Sequence, residues 1–187
     1  MVAIRNEVFG DIDAREDLLD RVWGAARFQK TTERLREGRC PADGLSLVAE
    51  HDGDVVGSVR VWHVCAGPGR PALLLGPLAV DEAWRCRGIG SALTRRAVSA
   101  ARRRKHRAVL LVGDADYYGR FGFVAEKTGT LWLPGPYDRD RLLGCELVPG
   151  ALEGARGLVT ATGRSAPTPS LDALIAHLDR HDARHAA

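Results

Sequence analysis

The sequence lacks long apolar runs, paired cysteines and a large excess of charge of either sign. No segment approaches the roughly 20 apolar residues that a membrane-spanning helix needs. The first residues, Met1 to Glu7, lack the apolar core of a secretory signal peptide and include an acid. We therefore expect a cytoplasmic protein that does not associate with membranes.

The cysteines also argue against a metal or disulfide framework. They are widely spread and include no C-x-x-C pair, so their spacing does not suit a zinc site. Reduced thiols fit a cytoplasmic protein better than disulfides do. The positions are Cys40, Cys65, Cys86 and Cys145.

The formal net charge of +3 is too small to indicate nucleic-acid binding by itself. One dense basic run, residues 102–107, is typical of a solvated helix end, where cations interact favourably with the dipole. Attraction of an acidic partner or a nucleic acid is the alternative, although no interleaved aromatic residues are available to stack on bases. We expect that nucleic acid is not the partner.

The hydrophobic pattern of the 187 residues fits one globular domain with helices and strands. It predicts a strand over residues 2–8 and a helix that Asp11 or Asp13 caps and that ends near Trp23. It also predicts a polar helix over residues 27–37. Two strands, residues 45–50 and 55–61, flank Asp-Gly and predict a hairpin.

The second part of the pattern alternates strand and helix. Residues 72–80 predict a buried strand that Pro77 should interrupt, because proline cannot donate a ladder hydrogen bond. Apolar residues then recur at helical spacing from Ile89 to Ala100. Residues 108–112 predict a strand that should lie parallel to the strand over residues 72–80, because a helix connects the two. Residues 117–123 predict a short helix, a turn and the start of a strand, and residues 142–148 a last strand.

The stretch Arg85-Cys86-Arg87-Gly88-Ile89-Gly90-Ser91-Ala92 is the most informative segment. Its glycines allow close approach of a ligand to the backbone, and a helix that begins there presents unpaired N–H groups to an anion. The third glycine of a dinucleotide fingerprint is replaced by Leu93, and the Gly-Lys of a P-loop is missing. An anion such as pyrophosphate is therefore the expected ligand, and a tightly packed helix start that binds nothing is the alternative.

Two motifs in order resemble the Gcn5-related N-acetyltransferases (GNAT). The run from Val80 to Leu93 resembles the acetyl-CoA motif of that family, and Tyr118-Gly119-Arg120-Phe121-Gly122-Phe123 resembles its second signature. Residues 75–80 and 112–118 look most like the YhbS-like subgroup of predicted acetyltransferases. The resemblance covers residues 2–150 and leaves 151–187 as a C-terminal extension, with a terminal helix that Ser170 caps.

The resemblance implies an α/β (α+β) GNAT fold, a mixed and mostly antiparallel sheet that is splayed between strands 4 and 5 and flanked by helices. It implies Tyr118 as the general acid, with Tyr117 as the fallback, and acetyl-CoA as the co-substrate. The asparagine that many relatives carry before the tyrosine is absent, and Asp114 stands four residues before Tyr118. The expected cofactor-binding residues are Leu78, Ala79, Val80, Arg85, Cys86, Arg87, Gly88, Ile89, Gly90 and Ser91.

The resemblance therefore implies an enzyme that transfers an acetyl group from acetyl-CoA to a primary amine, as a monomer or homodimer. A non-catalytic acyl-CoA sensor is the alternative. The acceptor, a small molecule or a protein amine, stays open, and the aromatic–proline loop from Trp132 to Tyr137 is one candidate for its site. The base is also open among Glu50, His63, Asp114, Asp116 and water. We expect no metal, although His177, His181 and His185 recur at helical spacing.

Overall fold

In the computed structural model, which describes residues 1–167, eight strands form a mixed sheet. Its main path runs β1-β2-β3-β4-β5-β7, while β8 pairs with β3 and β6. Every pair on the main path is antiparallel except β4 and β5, which are parallel as expected. The strands are β1 (Ala3–Asn6), β2 (Leu47–His51), β3 (Asp54–Ala66), β4 (Pro71–Val80), β5 (Ala108–Val112), β6 (Leu131–Trp132), β7 (Leu142–Glu146) and β8 (Gly157–Ala161).

Two long helices cover opposite faces of this sheet. Helix α1 (Ile12–Trp23) buries Leu18 and Leu19 against Val48 of β2, whereas α2 (Ile89–Arg103) packs on the side that the neighbouring Ala49 faces. Because successive strand residues point to opposite faces, the two helices enclose the sheet. The expected apolar face of α2 is buried. A third helix, α3 (Ala115–Tyr118), is a single turn, and no helix within residues 1–167 is long and apolar enough to cross a bilayer.

The expected hairpin is confirmed, and its turn explains the Asp-Gly pair. Asp52 and Gly53 both have positive φ, 50° and 93°, which asparagine, aspartate and glycine tolerate best. The basic run also lies where it was expected. Arg102 and Arg103 form the last turn of α2 and are exposed.

The interruption of β4 at Pro77 is confirmed. Val59 of β3 pairs with Leu78, but Val61 pairs with Leu75, so β4 carries one extra residue at this point. The indole N–H of Trp62 donates to the Gly76 carbonyl at 2.6 Å and fixes the bulge. Pairing of β4 with β5 ends at Leu74. The two strands therefore separate beyond this residue, as the splayed sheet requires.

Several local expectations were wrong. Residues 27–37 form two 3₁₀ turns, Ala25–Gln29 and Thr31–Leu35, because Lys30 between them is extended (φ −65°, ψ 135°) and ends the first turn. The carboxylate of Asp11 does not cap α1, since it accepts from the Val8 N–H at 2.7 Å and pairs with Arg5. After Phe123, Val124 forms only an isolated bridge with Gly144.

The predicted last strand is followed by another. Strand β7 ends at Glu146, and β8 pairs with β3 from Val64 to Ala66. The chain then continues beside residues 38–40, where the Cys40 N–H donates to the Arg164 carbonyl at 2.8 Å. The described part of the extension is thus joined to the sheet, whereas the helix expected after Ser170 and the three histidines lie outside the described residues.

A buried ion cluster joins β1, α1 and β3. Glu7 accepts from Arg15 Nε at 3.2 Å and from Arg60 Nε at 2.9 Å. The side chains of Glu7 and Arg15 are each only 5% exposed. Each charge therefore depends on its partners, because an unpaired buried charge is strongly destabilising.

Candidate functional site

The start of α2 forms an open anion site. The first intrahelical bond runs from the Ala92 N–H to the Gly88 carbonyl at 2.9 Å, so the N–H groups of Ile89, Gly90 and Ser91 have no acceptor within the helix. Gly88 precedes them with φ of 80°, the left-handed region that favours glycine. These N–H groups and the helix dipole favour a negatively charged ligand at this position.

The side chains near this helix start have different roles. Arg85, Cys86 and Arg87 are exposed, and the Arg87 guanidinium lies 4.7 Å from the centre of the Trp84 ring. Ile89 packs its side chain into the main core at 5% exposure, so only its backbone faces a ligand. The sequence therefore grouped residues that the structure divides into charged side chains and backbone donors.

The gap between β4 and β5 leaves one strand edge without a partner. Leu78, Ala79 and Val80 pair with β3 on one side, whereas the pairing of β4 with β5 has already ended at Leu74. On its other edge, β5 pairs with β7 along its whole length. Backbone groups on the gap side of residues 78–80 are therefore available to a ligand that carries amides.

The two adjacent tyrosines point to different parts of the site. The Tyr117 hydroxyl lies 3.4 Å from Ser91 Oγ, at the start of α2. Tyr118 lines a cavity at the gap. Its hydroxyl makes no hydrogen bond with any other group among residues 1–167. Burial, and then the neighbouring Tyr117, raise the pKa of Tyr118 to about 12. Its hydroxyl is therefore protonated at neutral pH.

The cavity beside Tyr118 has a volume of about 510 Å³. One part of its lining is formed by β4 at the bulge, the turn after β5, and Tyr118. The second part is formed by the two 3₁₀ turns after α1 and by the loop before β7. Arg141 joins the two parts, since its Nε donates to the Gly113 carbonyl at 3.5 Å. The residues of this second part are Trp23, Gln29, Lys30, Thr31, Thr32, Arg36, Leu133, Pro136, Tyr137, Asp138 and Arg141.

Most of this second part of the lining was not identified from the sequence, which singled out only the aromatic–proline loop. Pro136 and Tyr137 of that loop line the cavity, whereas Trp132 is 50% exposed beneath the Arg139 guanidinium. The two 3₁₀ turns supply lining residues of the cavity, but their sequence contains no recognisable motif. Thr31 donates its hydroxyl to the Pro136 carbonyl and so holds the two segments together.

The four base candidates occupy different environments. Asp114 lines the cavity, and its Oδ1 accepts from the Tyr117 N–H at 2.9 Å. Glu50 pairs with Arg5 at 2.7 Å, and Asp116 is exposed. His63 lies against His106 with ring centres 5.4 Å apart. No group of three or more metal-ligating side chains occurs among residues 1–167.

Comparison with known proteins identifies the family. A model described as an acetyltransferase (GNAT) domain matches residues 42–125. The chain is also 32% identical over 161 residues to the uncharacterised N-acetyltransferase YhbS of Escherichia coli K12, which covers 83% of this chain and 93% of YhbS. The chain belongs to the GNAT family. The family resemblance stated from the two motifs is therefore confirmed, and a GNAT acetyltransferase is an acyltransferase.

Solved structures of GNAT proteins agree with the fold. The structure of Escherichia coli YhbS in complex with CoA matches with a TM-score of 0.73 at 30% identity, covering 86% of this chain and 89% of that one. A GNAT acetyltransferase from Brucella melitensis in complex with acetyl-CoA matches with a TM-score of 0.62 at 23% identity, over 91% and 97% of the two chains. The mixed sheet with its parallel β4–β5 pair is thus the GNAT fold.

Proposed function

We propose that this GNAT protein transfers an acetyl group from acetyl-CoA to a primary amine, with Tyr118 as the general acid. The observation that carries the proposal is the meeting of three features at one gap in the sheet. These are the unpaired N–H groups of α2, the free edge of β4 and the protonated hydroxyl of Tyr118. One chain supplies both the proposed acetyl-CoA site and the cavity, so the proposal fits a monomer or a homodimer.

The residues of this chain fit the donor. The N–H groups of residues 89–91 would hold the pyrophosphate, and Arg85 and Arg87 would each add a charge-assisted bond worth about 1.5–3 kcal/mol. The free edge of residues 78–80 would bind the amides of the pantetheine arm. The complexes of YhbS with CoA and of the Brucella protein with acetyl-CoA support this choice of donor.

The chemistry requires a proton donor for the sulfur. As the neutral amine attacks the acetyl carbonyl, a C–N bond forms and the C–S bond breaks, so the departing thiolate needs a proton. Tyr118 is suited to supply it, because its pKa of about 12 keeps the hydroxyl protonated in the resting protein. The proton that the ammonium must lose before attack would pass to Asp114 or to water, since Asp114 alone among the four base candidates lines the cavity. The second proton, which the nitrogen loses as the amide forms, would restore the hydroxyl of Tyr118, so that each turnover yields the amide and free CoA.

Tyr118→Phe provides the test. We expect kcat for CoA release to fall by about 10²-fold or more, the usual contribution of a general acid, while acetyl-CoA affinity measured by calorimetry stays unchanged. Tyr117→Phe is the comparison, because its hydroxyl faces Ser91; it should alter the KM for acetyl-CoA and leave kcat nearly intact.

A screen of amines is carried out before these variants are made. It decides between an acetyltransferase and a non-catalytic acyl-CoA sensor. Acetyl-CoA binding together with turnover of at least one amine supports the enzyme. Binding with no turnover across the whole panel would favour the acyl-CoA sensor, and an absence of acetyl-CoA binding would overturn both.

A further inference from the structure

Three cationic side chains line the cavity. Lys30 comes from between the two 3₁₀ turns, Arg36 from just after them, and Arg141 from the loop before β7. They influence one another, since burial and then Arg36 and Arg141 lower the pKa of Lys30. Three like charges in the lining of one cavity indicate a site for an opposite charge.

Arg36 is the most buried member of this group at only 6% exposure, whereas Lys30 and Arg141 are exposed. Its Nε donates to the Thr32 carbonyl at 3.2 Å, and its Nη2 contacts Thr32 Oγ1 at 3.3 Å and Glu33 Oε2 at 2.8 Å. All the contacts that residues 1–167 make with this guanidinium therefore use Nε and Nη2. Nη1 is left for a ligand in the cavity that Arg36 lines.

The carboxylates of the cavity do not neutralise the other two cations. Asp138 accepts from the Asp140 N–H at 3.1 Å, as Asp114 accepts from the Tyr117 N–H. No ion pair within residues 1–167 joins Lys30 or Arg141 to a carboxylate. Instead, the Lys30 ammonium lies 3.4 Å from the centre of the Trp23 ring.

We propose that the acceptor is a small amine that also carries an anionic group, a carboxylate or a phosphate, which Lys30, Arg36 and Arg141 bind. The amine then faces Asp114 and Tyr118, which line the same cavity beside Arg141, whose Nε donates to the Gly113 carbonyl at 3.5 Å. A guanidinium and an ammonium suit either anion, because both oxyanions offer several acceptor oxygens. This inference rests on the proposed acetyl transfer and narrows its substrate class.

The volume and the charge arrangement disfavour other amines. About 510 Å³ must hold both the acetyl group and the part of the acceptor that enters the cavity, which suits a small molecule. A polyamine would place its second ammonium among the three cations, and like charges so close together are unfavourable. A neutral amine would leave Lys30 and Arg141 without a counterion among residues 1–167.

Pairs of amines that share a carbon skeleton test the proposal. O-phosphoethanolamine is compared with ethanolamine, β-alanine with propylamine, and putrescine represents the dications. We expect kcat/KM for each anionic amine to exceed that of its neutral partner by at least about tenfold, most of it in KM, with putrescine lowest. The phosphate and carboxylate pairs show which anion the site prefers.

Substitution of the cavity cations tests whether they cause the preference for anionic amines. Lys30→Met should lower kcat/KM for the anionic amines by about fivefold or more and leave the neutral amines unchanged. Arg36→Met should have a larger effect, and Lys30→Met decides alone if that variant does not fold. Arg103→Met at the exposed end of α2 removes the same charge outside the cavity lining and should alter neither class.

Equal kcat/KM for the charged and neutral members of both pairs would overturn the inference and leave the acetyltransferase standing. So would a Lys30→Met variant that loses activity equally toward both classes. If no amine in the panel is acetylated, calorimetry on the protein saturated with CoA decides. Binding of β-alanine or O-phosphoethanolamine without binding of the neutral partners supports the site, and no difference refutes it.

Discussion

The ring of Tyr118 occupies the space where a side chain on Gly113 would lie. A Cβ placed on Gly113 would come within 2.2 Å of Tyr118 Cε2 and 2.6 Å of its Cδ2, far inside van der Waals contact. The Gly113 N–H donates to the Arg141 carbonyl at 2.9 Å, so the backbone there is tied to the loop before β7. The position of the proposed acid therefore depends on the absence of a side chain five residues earlier.

Gly113→Ala should displace the Tyr118 ring without removing its hydroxyl. We expect kcat to fall by about 10²-fold, as for Tyr118→Phe, because a general acid must lie within hydrogen-bond reach of the atom that it protonates. Steady-state CoA release measures it, with calorimetry to show that acetyl-CoA affinity is kept. Gly119→Ala is the control, since a Cβ there meets no atom within 4 Å. Wild-type kcat in Gly113→Ala would contradict the proposed role.

Gly90→Asp should abolish acetyl-CoA binding. The new Cβ would lie 3.0 Å from the Tyr117 hydroxyl, and the new carboxylate would repel a pyrophosphate at the start of α2. A loss of about 10²-fold in affinity or more is expected if two charge-assisted bonds are weakened. Calorimetric titration with acetyl-CoA measures it. Gly129→Asp, at an exposed glycine with no atom within 4 Å of an added Cβ, should bind normally.

The raised pKa of Tyr118 should make stability depend on alkaline pH. The phenol holds its proton more tightly in the folded protein, where its pKa is about 12, than in the unfolded chain, where it is about 10. This stabilisation is complete below about pH 10 and is lost as pH rises toward 12. Between about pH 9 and pH 11, the urea midpoint of the wild type should therefore fall more than that of Tyr118→Phe. Identical falls would show that Tyr118 does not titrate differently in the two states.

Removal of the Glu7 charge should destabilise the protein strongly. Glu7→Gln leaves Arg15 and Arg60 without their shared carboxylate in a buried setting, and we expect a loss of about 3–5 kcal/mol in the free energy of unfolding. Asp20→Asn breaks an ion pair whose carboxylate is 51% exposed and should cost less than about 1 kcal/mol. Urea denaturation of both variants measures the difference, and equal losses would refute the argument.

The backbone features of the proposed donor site were predictable because their signals are local. Glycines at the start of α2, proline inside β4 and the tyrosine before Gly122 each act through backbone conformation or through near neighbours in sequence. The parallel pairing of β4 with β5 and the gap beside Leu78 follow from these same residues, together with the family resemblance.

The part of the cavity that we propose for the acceptor was not predictable from the sequence, because segments distant in the sequence form it. The extended conformation of Lys30 divides a stretch that its composition favours as one helix, and contacts with the loop before β7 stabilise the two turns instead. Arg34 donates to the Pro134 carbonyl, 100 residues away, at 2.6 Å. Strand β8 was missed for a similar reason, since its five residues are held by pairing with β3 and β6 rather than by a strong pattern of their own.

The division of the cavity lining between two sets of segments has an evolutionary consequence. The turns over residues 25–36 and the loop over 133–138 lie in parts of the sequence separate from the start of α2, the bulge in β4 and Tyr118. Duplicated copies of this gene can therefore diverge toward new acceptors by mutation in two short segments, while each copy inherits the proposed donor site from the ancestor.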